Sequence, residues 1–83
     1  MIELRLTHPG LDFWVDVRVS RIGHSWLAVA DLASTPEPAV ASRPDLAVLL
    51  ALWPLGPAMA RRLAARAAPG LPSRQSRAGP WQD

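Results

Sequence analysis

Residues 15–32 read VDVRVSRIGHSWLAVADL, and the fold depends on whether their alternation closes into a hairpin. From residue 13 onward, Phe13, Val15, Val17 and Val19 fall on one side of an extended chain, and Trp14, Asp16, Arg18 and Ser20 on the other. A period of two with β-branched residues on one side is the pattern of a half-buried strand. Gly23 and His24 suit the centre of a two-residue type II′ turn, which wants glycine first. That loop sets Ile22 opposite Ser25, Trp26 beside Arg21, Val19 opposite Ala28, Val17 opposite Ala30 and Val15 opposite Leu32. One face is then apolar throughout, and its alanines leave space for a helix. The same register places Asp16 opposite Asp31, an unfavourable like-charge pair. A three-residue loop over Ile22 to His24 would instead bring Leu27 and Val29 onto the valine face; the shorter loop is preferred.

Working outward, Ile2, Leu4 and Leu6 alternate with Glu3, Arg5 and Thr7, which predicts another strand. Pro9 and Gly10 then predict a type II turn, with Gly10 at the positive φ of its second central position. Downstream, ASTPEP (33–38) reads as a loop and AVA (39–41) as a short edge strand. Ser42 with Asp45 three residues later resembles a capping box, and Pro44 fits a first helical turn. A helix is expected over about residues 43–53, ended or kinked by Pro54. A second is expected over 57–68 from alanine propensity, with Pro69 and Gly70 as its stop. Residues 69–83, rich in Pro, Ser and Arg without periodicity, read as a disordered tail. The fold class is therefore α+β. Residues 1–68 form one small domain, a three- or four-stranded antiparallel sheet with a proline-broken helix pair on one face.

The 83 residues include no cysteine, so disulfides and thiolate metal sites are excluded, which suits a cytoplasmic location. Glu3 and Arg5 interrupt what an export signal would need, so none is expected. All nine basic residues are arginine and lysine is absent, a bias of GC-rich bacterial genomes that weakens any argument from arginine content alone. Residues 1–56 carry four Arg against six acids, a balance of −2; residues 57–83 carry five Arg against Asp83, a balance of +4. The basic character belongs to the C-terminal third.

His24, Ser25 and Asp31 are residue types of nucleophilic hydrolysis. Adjacent residues at a strand start point to opposite faces, however, and no nucleophile elbow is present. His24 is read as a solvent-exposed turn residue. His8, His24 and Asp12 match no zinc spacing. No catalytic, metal or cofactor site and no small-molecule ligand are expected, and the chain is read as non-enzymatic. The apolar run 46–60 would span about 22 Å as a helix, short of the roughly 30 Å hydrocarbon core. It is read first as core against the sheet, then as core that also offers a self-association or partner surface, and last as a membrane-surface segment. Trp53, Arg61, Arg62 and Arg66 are the candidate partner-binding residues. The partner is expected to be another protein or a second copy. Two alternatives are kept: a peripheral membrane protein using residues 46–66, and a DNA-binding protein using helix 57–68 in a helix-turn-helix manner.

The hairpin with Trp26, Ala28, Asp31 and Leu32 on its second strand, followed by AVAS and a helix near Pro44, resembles the small HicB-type antitoxin domain over residues 13–53. The resemblance implies a β-β-β-α unit, a cognate toxin as partner and possible DNA contact through the arginine-bearing helix. Ala33, Ser34, Thr35 and Pro36 stand where that family usually has a Pro-Gly-Cys type loop.

Overall fold

A computed structural model describes residues 1–32 and 38–72. Four strands, β1 (Ile2–Leu6), β2 (Val15–Ile22), β3 (Ser25–Ala30) and β4 (Ala39–Ala41), form one antiparallel sheet in the order β1-β2-β3-β4. Two helices follow, α1 (Pro44–Ala51) and α2 (Pro57–Ala67), joined by a 3-10 turn over Trp53–Leu55. The α+β class and the fourth strand are as expected.

The β2–β3 hairpin has the two-residue loop. Ile22 pairs with Ser25, Arg21 with Trp26, Val19 with Ala28 and Val17 with Ala30. Gly23 adopts φ +58°, the left-handed value that places glycine first in the loop. On the other side, Ile2, Leu4 and Leu6 pair with Val19, Val17 and Val15. Side chains directly across an antiparallel ladder share a face, so these residues and the alanines of β3 make one apolar surface. Val15, Val17 and Val19 are fully buried there. Small Ala28 and Ala30 let the helices approach, and Ala47, Val48, Leu52, Ala60, Leu63 and Ala67 complete the core.

Five expectations are corrected. The strand begins at Val15, and Phe13, expected on the valine face, is 53% exposed. The reversal after β1 is closed by the Leu11 N–H donating to the His8 carbonyl at 2.9 Å, but Gly10 is not at positive φ, so the turn is not type II. The Gly10 N–H instead donates to His8 Nδ1 at 2.9 Å, anchoring the turn through the imidazole. Val15 does not pair with Leu32: the ladder ends near Ala30, where Leu32 N–H bends back to the Ala30 carbonyl at 3.0 Å. The Ser42 capping box does not form. Helix α1 is capped by Arg43 without a side-chain cap bond, Pro44 occupies the first turn, and the helix ends at Ala51 rather than 53. Finally, the segment expected to be loose from residue 69 packs on the core through Leu71: Ala68–Gly70 make a 3-10 turn, and Leu71 is buried. The loop residues 33–37 and the tail residues 73–83 lie outside the described residues.

Asp31 N–H donates to the Asp16 carbonyl at 2.8 Å, while the Asp16 carboxylate is engaged from β1. Arg5 donates to both Asp16 carboxylate oxygens, at 2.8 and 3.2 Å. This hydrogen bond, with Arg5's charge, holds the Asp16 carboxyl below the usual carboxylate range. Trp14, just outside the strand, lies under the Arg5 guanidinium at 4.4 Å.

Candidate functional site on the helical layer

Helix α1 is apolar nearly all round, and the sheet can accept only one side of it. Pro44, Ala47, Val48 and Ala51 turn inward. Leu46 and Leu50, spaced i, i+4, therefore share the outer side, and Trp53 follows at the start of the 3-10 turn. They are 40%, 45% and 42% exposed.

The break between the helices places the next group. Leu55 N–H donates to the Leu52 carbonyl at 3.0 Å and Gly56 N–H to the Trp53 carbonyl at 2.9 Å. Gly56 then takes φ +100° and ψ 146°, a conformation accessible essentially to glycine alone, and launches α2 at Pro57. Helix α2 is truly amphipathic, with Ala60, Leu63 and Ala67 inward. Its Arg61 comes back beside α1, with its guanidinium 5.8 Å from the Trp53 ring centroid, within the reach of a cation–π contact. A shallow groove of about 310 Å³ runs between the helices, lined by Leu46, Leu49, Arg61, Ala64 and Ala65. Arg43 and Asp45 close one end of it. They neutralise each other: Arg43 Nε donates to Asp45 Oδ1 at 3.0 Å, and its Nη2 to the other oxygen. That hydrogen bonding lowers the Asp45 carboxyl below its ordinary range and raises the Arg43 guanidinium further.

Of the four candidate residues, Trp53 and Arg61 are brought together. Arg62 and Arg66 are exposed one turn apart on α2, about 100° or more around the helix from Arg61, so they flank the face on its other side. The sequence reasoning did not single out Leu46 and Leu50. Their signal was the i, i+4 spacing, hidden by equally apolar neighbours.

A second depression, about 400 Å³, lies on the open face of the sheet among Glu3, Arg5, Asp16, Arg18 and Asp31. It is the larger, but Arg5 and Asp16 already satisfy each other there. His24 is exposed at the hairpin tip, and among the described residues no side-chain hydrogen bond joins it to Ser25 or Asp31. Among those residues, too, no three His, Asp or Glu side chains gather as metal ligands, and no helix is long and apolar enough to cross a membrane. No family model, curated protein sequence or solved structure matches this chain.

Proposed function

We propose that this protein is a small, non-enzymatic interaction module of the cytoplasm that docks on a partner surface through the outer face of its helices. The observation that carries the reading is the stripe of Leu46, Leu50 and Trp53, three large apolar side chains left half-covered in a row. A contiguous exposed apolar patch rimmed by polar groups marks an interaction site more often than scattered exposed leucines do. Trp53 with Arg61 over it is the anchor, since tryptophan and arginine dominate binding hot spots. Covering what remains exposed of each stripe residue contributes on the order of 1 kcal/mol.

The test replaces Leu50 with p-benzoylphenylalanine in the living source organism, with Val40 on the opposite face of the sheet as the control position. Light is expected to give adducts, to lipid or to protein, from position 50, few from position 40, and far fewer from position 50 when Trp53→Glu is added. Equal labelling at the two positions, or none at 50, overturns the reading.

A further inference from the structure

We infer that the surface this face meets is an anionic phospholipid bilayer, on which the protein lies flat with its helices inward. The inference rests on the docking face proposed above and names its partner. It starts from the division of charge between the layers. The helical segment 43–70 carries Arg43, Arg61, Arg62 and Arg66 against Asp45 alone, a balance of +3. Residues 1–32, the strands and turns of the first three strands, carry Arg5, Arg18 and Arg21 against Glu3, Asp12, Asp16 and Asp31, a balance of −1. The one acid of the helical layer is already held by Arg43. Such a molecule is electrically polar across its thickness and turns its helices toward a negative surface.

The same charge argues against a second copy on this face. A two-fold contact between helical layers brings +3 against +3, and among the described residues Arg61, Arg62 and Arg66 have no acidic partner to offset it. The layout fits a plane. Leu46 and Leu50 span about 6 Å of the α1 axis, and Trp53 extends the apolar surface into the 3-10 turn. Arg61 stands on one flank of α2, and Arg62 and Arg66 on the other. Between the helices there is a shallow apolar floor of alanine and leucine rather than a deep slot. Leucine and tryptophan entering the headgroup boundary while arginine stems carry guanidinium groups up to the phosphates is how an interfacial helix binds. Both helices are shorter than a bilayer requires for crossing, so the contact is with one leaflet.

The experiment is flotation of the full chain with extruded vesicles of phosphatidylcholine, and of phosphatidylcholine with about one third phosphatidylglycerol, at low and high salt. Circular dichroism confirms that each variant is folded. Binding is expected on the phosphatidylglycerol vesicles only, and is lost at high salt. Leu50→Glu is expected to abolish it, and Leu50→Ala to weaken it. The triple variant Arg61→Gln, Arg62→Gln, Arg66→Gln is expected to weaken it roughly fivefold per arginine removed. Val40→Glu on the other face leaves it unchanged. No flotation at low salt, or flotation that Leu50→Glu and the triple variant leave intact, overturns the inference. Absence of flotation together with a protein adduct from position 50 overturns the lipid and keeps the docking face, the partner then being an acidic protein surface. Absence of both overturns the face itself.

Discussion

On the open face of the sheet Glu3 lies opposite Arg18 and Arg5 opposite Asp16, whereas on the outer face of the helices Leu46, Leu50 and Trp53 stand in a row beside Arg61. Both surfaces are in solvent. The first is dominated by charge: each charge on β1 has an opposite charge across the ladder, Arg5 and Asp16 form a salt bridge, and Trp14 lies against Arg5, while Val40 stands exposed at its edge. The second is open: its apolar side chains have neighbours on one side only, and its arginines outnumber its acids. The contrast teaches that exposure by itself does not locate function in so small a protein. What separates the two faces is that the sheet face alternates opposite charges across its ladder, whereas the arginines of α2 have no acidic partner among the described residues and stand beside apolar side chains.

The sharpest way to break this comparison is to cut into both sides of the same helical segment. Leu52 is fully buried, so Leu52→Ala is expected to cost about 2–5 kcal/mol of unfolding free energy by urea denaturation. Leu50→Ala, two residues earlier and 45% exposed, is expected to cost less than about 1 kcal/mol. Similar losses from the two would mean that the stripe belongs to the core. Next in size is Gly56→Ala. No atom obstructs a Cβ there, but at φ +100° the backbone itself is strained for any other residue, at about 1–3 kcal/mol. An unchanged denaturation midpoint would mean that the inter-helix turn readily takes another path, and with it the placement of Arg61 over Trp53.

The smallest expected effect concerns the charged face of the sheet. Asp16 has a depressed folded-state pKa, so its ion pair stabilises the protein above the ordinary aspartate value of about 3.9, and that contribution is lost as pH falls through the lower folded value. The Arg5 guanidinium is raised for the same reason, far above any working pH, and stays charged throughout. Asp16→Asn is therefore expected to flatten the acid limb of a stability-versus-pH curve while changing little at neutral pH, both groups being solvent-exposed. An acid limb as steep as in the parent chain would show that the Arg5–Asp16 pair contributes nothing.

Much of the sheet was legible because its signal is local. Period-two alternation and a glycine at the hairpin tip specify a register in which a one-residue slip would turn every valine outward. Phe13 shows where such a pattern stops being informative. It continues the alternation of the valines, but the ladder begins at Val15, and a side chain before the first paired residue has no sheet to lie on. Ser42 and Asp45 likewise carry the residue types of a cap. Arg43 takes Asp45 instead, a charge-assisted pair that competes for the same carboxylate. Of the site, Trp53 and Arg61 were legible as residue types. Their proximity was not, since it depends on the turn through Pro54 and Gly56.

By itself the sequence determined the existence and order of the strands, favoured the two-residue hairpin loop and located the break between the helices, because these follow from side-chain periodicity and from the φ preferences of glycine and proline over a few neighbouring residues. Only the tertiary structure decided which leucines of the 46–53 segment are core and which are surface. Eight nearly uniform apolar residues carry no rotational phase of their own. Contact with the sheet supplies it: Ala28 and Ala30 admit Ala47, Val48 and Leu52 and leave Leu46, Leu50 and Trp53 on the far side.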